Sequence, residues 1–346
     1  MPRTVIVLLG LAGAVITLAG LRAVGSIAGP VVLALVLVIA VAPLRGWLTR
    51  RGAPKWVQVA VPLLTVVSVL LGMAAVLTVS IAQLATLAPR YAGKFRGLVA
   101  DVQGFAGRFG INKEQVDKAI ASFDPAKVFE LVQGLLAGLL GVASSLFLIV
   151  VLLLAMCLDA PVTSRVVASG ARERPHLARA LTEFSRKTRR YLLVSTVFGL
   201  LTALLDVVAL VVLGIPLPLL WGVLAFITIY IPNIGFVIGL VPPAMLGLLE
   251  GGFQEMLLVV LAYCMINVVI QSLILPKFLG DAVGLSTTVT LLSLITWTFV
   301  LGPLGAILAI PLSLFVRALL VDSDPSAGWV AALISAEEPK PVGGGP

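Results

Sequence analysis

Long apolar runs alternate with short polar breaks along the whole chain. The runs cover about residues 5–21, 27–44, 56–84, 135–158, 191–213, 219–249, 255–275 and 286–320. An α-helix needs roughly 20 apolar residues to cross the hydrocarbon core of a bilayer. Six of the runs fit one crossing each. Barrel strands would instead show segments of about ten residues with alternating polarity. The pattern therefore predicts an all-α, polytopic helical membrane protein. The first run follows Arg3 and no small-residue cleavage site closes it, so it reads as a first transmembrane helix.

The polar breaks set the expected topology. Arg45, Arg50, Arg51 and Lys55 follow the second run with no acid among them, which places that loop in the cytoplasm, and the N-terminus with it. Residues 1–84 thus form three N-terminal transmembrane helices. Residues 85–133 mix charges of both signs and read as a small extracytoplasmic helical subdomain. Asn112 with Gln115 suggests one helix start there, and Asp124-Pro125 a second. Residues 134–158 return to the cytoplasm. Residues 159–190 hold Arg165, Arg172, Arg174, Arg179, Arg186, Lys187, Arg189 and Arg190 against Asp159, Glu173 and Glu183. Leu177, Leu181, Phe184 and Tyr191 recur there at helical spacing, as in a basic amphipathic helix on the inner membrane surface. Such a helix serves as a lipid-surface anchor or as a gate or coupling element. Residues 191–320 form the expected transport core, and 321–346 a cytoplasmic tail, disordered beyond about Asp324.

Composition agrees. Sixty per cent of the 346 residues are apolar, 12% are charged, and the mean hydropathy is +1.14. Such a chain cannot cover a soluble domain with polar surface. The net charge of +8 reflects basic cytoplasmic loops rather than nucleic-acid binding. Cys157 and Cys264 lie in separate apolar runs and read as packed thiols. His176 sits among arginines and reads as a surface residue. No phosphate-binding loop, zinc spacing, nucleophile elbow or carboxylate pair occurs, so no enzyme, metal or cofactor is expected. Transport would draw on a gradient, with H⁺ or Na⁺ as the coupling ion.

Two runs are too long for one ordinary crossing. Residues 219–249 break at Pro232-Asn233-Ile234-Gly235, and residues 286–320 at Gly302-Pro303 and Gly305. Two half-length helices meeting at a Pro/Gly corner would use about 30 residues, so each run reads as a re-entrant hairpin. Long kinked spans are the other reading. Irregular backbone at membrane depth needs protein or a water-filled cavity around it, so the corners should face a cavity or each other. Residues 191–249 and 255–320 each comprise a continuous span, a loop and a broken segment, with opposite predicted orientation. That is the pattern of an inverted repeat in an alternating-access transporter.

Few polar residues lie deep in the runs. Asp206 is the one acid within a span, and a charge at the bilayer centre costs at least about 2.5–3.5 kcal/mol. It is the candidate cation or proton site, or else a neutral structural carboxyl. Asn233 sits at the first corner. Asn267 and Gln271 are four apart on the sixth span and share a face. Thr296 belongs to a hydroxyl stripe along the second broken run, with Ser286, Thr287, Thr288, Thr290 and Ser293, although hydroxyls often bond only their own helix.

Three motifs, "YIPNIGFVIGLVPP" (230–243), "PKFLGDAVGL" (276–285) and "LGPLGAILAIPLSLFV" (301–316), resemble the AI-2E family of bacterial transporters, the autoinducer-2 exporter-like proteins. The resemblance covers most of the chain. It implies a bacterial inner-membrane protein with eight hydrophobic segments, both termini cytoplasmic, and assembly as a homo-oligomer, a pentamer. It also implies either export of a small polar solute such as autoinducer-2 or Na⁺(Li⁺)/H⁺ antiport. Relatives often carry a Glu and an Asn before the proline matching Pro276. Here Ser272, Leu273, Ile274 and Leu275 precede it, so a role for that acid does not carry over. A passive channel or non-transporting scaffold is the reading from another class.

Overall fold

The computed structural model describes residues 3–108, 125–232, 234–279 and 284–324, with 327, 330 and 334. The described residues are helical and include no strand. In chain order the helices are α1 (Arg3–Ala23), α2 (Gly25–Arg50), α3 (Lys55–Arg108), α4 (Pro125–Gly170), α5 (Pro175–Val212), α6 (Pro218–Thr228), α7 (Gly235–Gly251) and α8 (Phe253–Asn267). A wider π-type segment, Val268–Ile274, leads into α9 (Leu275–Leu279). Then come α10 (Thr287–Leu301) and α11 (Pro303–Arg317), the latter ending in a π-type turn over Ala318–Asp322.

Among the described residues, six helical segments are long and apolar enough to cross a membrane: Gly25–Arg50, Lys55–Leu84, Leu146–Gly170, Pro175–Val212, Phe253–Ile274 and Pro303–Asp322. The chain is a polytopic helical membrane protein. Prolines inside these helices (Pro30 and Pro43 in α2, Pro161 in α4, Pro311 in α11) cost a backbone hydrogen bond each. Neighbouring helices make such breaks tolerable in a membrane. The surfaces follow the same logic: on α5, Leu204 and Val211 are 59% and 60% exposed while Asp206 is 2% exposed. Apolar side chains face outward and the acid faces protein, the reverse of a soluble helix.

Two helices run through boundaries drawn from the sequence. α3 has 54 residues, about 80 Å at 1.5 Å per residue, and passes residue 84 without a break. Residues 112, 115 and 124 lie outside the described residues, and Pro125 opens α4. Residues 159–190 are shared between the end of α4 and the start of α5. α5 runs unbroken from Pro175 through the basic segment into its span, 38 residues in all. The buried face of this basic end packs on the second broken run, where Phe184 meets Phe315 with ring centroids 5.3 Å apart, and Arg190 Nη2 donates to the carbonyl of Phe278 in α9 at 3.1 Å.

Among the described residues the core has three parts. One gathers Phe184, Tyr191 and Leu192 of α5 around Trp297, Leu308 and Leu312, with Val36 and Ile39 of α2. A second joins Leu210, Trp221, Leu246, Val259 and Tyr263 to Ile81 and Tyr91 of α3. A third packs Ala34 and Val66 on Ile149 and Leu153. The first two contain the elements of residues 191–320.

Candidate functional site

Each long broken run turns where the sequence places its corner. Residues 219–249 divide into α6 and α7, of 11 and 17 residues, both shorter than the six crossing segments. The turn between them is held by backbone bonds from Ile231 N to the Thr228 carbonyl (2.9 Å) and from Gly235 N to the Ile231 carbonyl (3.1 Å). α5 braces it: the Tyr191 hydroxyl donates to the Tyr230 carbonyl at 3.2 Å, and Thr196 Oγ1 and the Tyr230 hydroxyl share a bond of 2.6 Å. Gly235 is buried against the Thr228 carbonyl, where any Cβ would overlap that oxygen. Pro232 is half-buried beside it, and Asn233 lies outside the described residues.

The second corner uses the same device. α10 ends at Gly302, whose φ of +65° lies in the left-handed region, and exposed Pro303 opens α11. Gly305 is buried against the Trp297 carbonyl, again with no room for a Cβ. Trp297 Nε1 donates to Ser313 Oγ at 3.0 Å and ties the two arms. The corners have different neighbours. The first rests on α5, while the second rests on the start of α2, where Gly25 faces the Val300 carbonyl and Gly29 faces Leu304. The second run is also asymmetric, because its later arm, Pro303–Asp322, is one of the crossing segments.

A buried polar seam lies between α5 and α8. Asp206 interacts electrostatically with the phenol of Tyr263, while Phe198, earlier on α5, stacks on Phe278, later in the chain, at 5.2 Å. The two helices therefore run antiparallel. Thr202 lies one turn from Asp206, and Asn267 one turn from Tyr263, both toward the Phe198–Phe278 end. Asp206, Thr202 and Tyr263 are 2%, 6% and 3% exposed. Asp206 Oδ1, Thr202 Oγ1, the Tyr263 hydroxyl and Asn267 Nδ2 are all buried with no hydrogen-bond partner in the chain. Each such group costs about 1–3 kcal/mol. Four on facing helices make this the least satisfied part of the described core.

The structure thus brings Asp206 and Asn267 to one seam and adds Thr202 and Tyr263, which sequence reading passed over. The signal was present: each lies four residues from a residue already singled out. Gln271 is half-buried in the π-type segment directly after Asn267. Such segments inside α-helices are frequent at functional sites. Thr296 does not join the seam. Its helix, α10, packs on α1, α2 and α11. Among the described residues, no cluster of three or more His, Cys, Asp or Glu could hold a metal ion.

The second half of α3 is tied to the end of α7, beside the turn into α8. Lys94 Nζ pairs with Glu250 Oε2, and the Tyr91 hydroxyl donates to Glu250 Oε1 at 2.6 Å. At the opposite foot, Arg317 pairs with Asp322 at 3.3 Å and donates to the Gly284 carbonyl, closing the base of the second broken run.

Comparison with known proteins yields one family model, described as "AI-2E family transporter", matching residues 6–322. The chain is 31% identical over 335 residues to the "AI-2 transport protein TqsA" of Escherichia coli, covering 96% of this chain and 95% of that protein. It is 28% identical over 335 residues to a "Putative transport protein" of Haemophilus influenzae, covering 94% and 95%. It is also 28% identical over 337 residues to the "Putative transport protein YhhT" of Escherichia coli, covering 96% and 95%.

Proposed function

Since this chain belongs to the AI-2E transporter family, we propose that it exports a small polar solute across the bacterial inner membrane by alternating access. The observation that carries the reading is the polar seam of Thr202, Asp206, Tyr263 and Asn267, sealed inside a bundle whose outer face is apolar. The two glycine-closed corners support it, because they place irregular backbone within the transport core. Residues 191–249 and 255–320 act as an inverted repeat, and both broken runs work as re-entrant hairpins. Gly235, Gly302, Pro303 and Gly305 shape the path, with Pro232 and Asn233 at its first corner. Asp206, Asn267 and Gln271 meet the solute or ion, and Thr296 lines the second hairpin. The name of the Escherichia coli relative supports a solute like autoinducer-2. The basic loops support cytoplasmic termini. The working form is a homo-oligomer, a pentamer, in membrane lipid.

Labelled autoinducer-2 offered to inside-out vesicles tests the reading. Accumulation that depends on the protein and falls at least about tenfold in Asp206→Leu supports it. Equal label in vesicles lacking the protein sinks it. The buried, unpartnered carboxyl oxygen of Asp206 favours a second reading, Na⁺(Li⁺)/H⁺ antiport. There, a trapped pH dye would respond to Na⁺ or Li⁺ in wild type and stay silent in Asp206→Asn.

A further inference from the structure

We infer that α8 slips by one helical turn against α5 during the working cycle, exchanging the partners of the buried seam. The inference rests on the alternating-access reading above. Two independent observations point to it. The first is the ladder of polar residues: Thr202 and Asp206 on α5, and Tyr263, Asn267 and Gln271 on α8 and the segment after it, each one turn apart. In the observed register Asp206 lies within electrostatic range of Tyr263 without bonding it, and four polar atoms along the ladder have no partner. Sliding α8 one turn in one direction carries Asn267 to Asp206 and Gln271 to Thr202. The stranded Nδ2 donor then faces the stranded Oδ1 acceptor. Sliding it the other way would bring fully buried, apolar Val259 to Asp206, which satisfies nothing. The ladder therefore gives the slip a direction.

The second observation is the π-type backbone of Val268–Ile274, beginning one residue after Asn267. A wide turn takes up an extra residue per turn, so it can pass along a helix while the helix advances. It lets one side of α8 move without tearing its foot at α9. One-turn ratchets of one element past another are a known way for packed helices to switch between two discrete arrangements. The Glu250 tie to Lys94 and Tyr91 lies at the end of α7, just before α8 begins, and holds the observed register.

Paired cysteines introduced into the full-length protein in native membranes test this, after Cys157→Ala and Cys264→Ala remove the native thiols. Three pairs share Thr202→Cys: with Asn267→Cys for the observed register, with Gln271→Cys for the slipped one, and with Tyr263→Cys for a slip in the opposite direction. The first pair cross-links fastest. The Gln271 pair follows about ten- to a thousandfold more slowly, as expected of a minor conformer. The Tyr263 pair is slower than the Gln271 pair by at least about tenfold. Adding Asn267→Leu to the Gln271 pair slows it further, because Asp206 loses the partner it slips toward. Failure of the Gln271 pair while the Asn267 pair forms overturns the inference. So does equal cross-linking of the Gln271 and Tyr263 pairs, which would mean undirected breathing. Failure of all three pairs would show that Thr202 and Asn267 do not face each other, and would overturn it at its base. A chain that slips yet moves no solute would keep this inference and lose the transporter reading, so the two fail separately.

Discussion

At the residue scale, Gly235 and Gly305 are both fixed by a neighbouring carbonyl oxygen. Changing either to Ala forces backbone apart and costs about 3 kcal/mol, at the upper end of ordinary substitutions. Gly10→Ala and Gly13→Ala, with open space around them, leave the melting temperature in detergent unchanged or slightly raised. Equal melting temperatures for all four variants would contradict the described corners. Asp206 gives an opposite sign. Because its Oδ1 is buried and unpartnered, Asp206→Leu removes an uncompensated polar group and stabilises the fold by about 1–3 kcal/mol, while flux is lost. A melting temperature that falls instead would mean the carboxyl has a structural partner. Of these residues, Asp206 and the corner glycines stood out in the sequence because an acid, or a Pro/Gly cluster, is rare in such surroundings. Tyr263 and Thr202 did not, because one buried Tyr or Thr is ordinary until the facing helix is known.

At the element scale, helix identity was legible and helix length was not. Apolar runs end where polarity rises, but a helix ends only where its backbone must. α3 and α5 contain polar segments that are still good helix formers, so both continue through them. The basic half of α5 shows the consequence. Its charges predict a membrane-surface helix, and Phe184 and Tyr191 on its apolar face pack into the core around Trp297. The tie between α3 and the end of α7 was invisible in sequence, since Lys94 and Glu250 are 156 residues apart. Lys94→Ala and Glu250→Ala each lower stability, and the double variant costs less than their sum, with a coupling of about 1 kcal/mol read by a double-mutant cycle. Strict additivity would mean that the pair is idle. Tyr230→Phe removes the hydroxyl that bonds Thr196 and costs about 1 kcal/mol in unfolding measurements.

At the scale of the whole molecule, two orders of packing coexist. Along the spans the described outer surface is largely apolar, which fits it to lipid. The inside carries a polar seam and two corners closed by glycine, features that cost stability and are retained where a protein has to change shape or meet a solute. The class of protein was written in the repeated apolar runs, since few other architectures can use them. The meeting of α5 with α8 was not, because antiparallel packing between distant helices leaves no periodic trace in either.

Counterflow in proteoliposomes tests alternating access most directly. Vesicles loaded with unlabelled autoinducer-2 are diluted into a trace of labelled solute. A carrier that opens to one side at a time returns with label each time it exports unlabelled solute, so the label inside should overshoot its equilibrium level and then decay. Asp206→Leu should abolish the overshoot. Label that rises smoothly to equilibrium, or that never enters, would contradict alternating access for this solute, the smooth rise pointing to a channel.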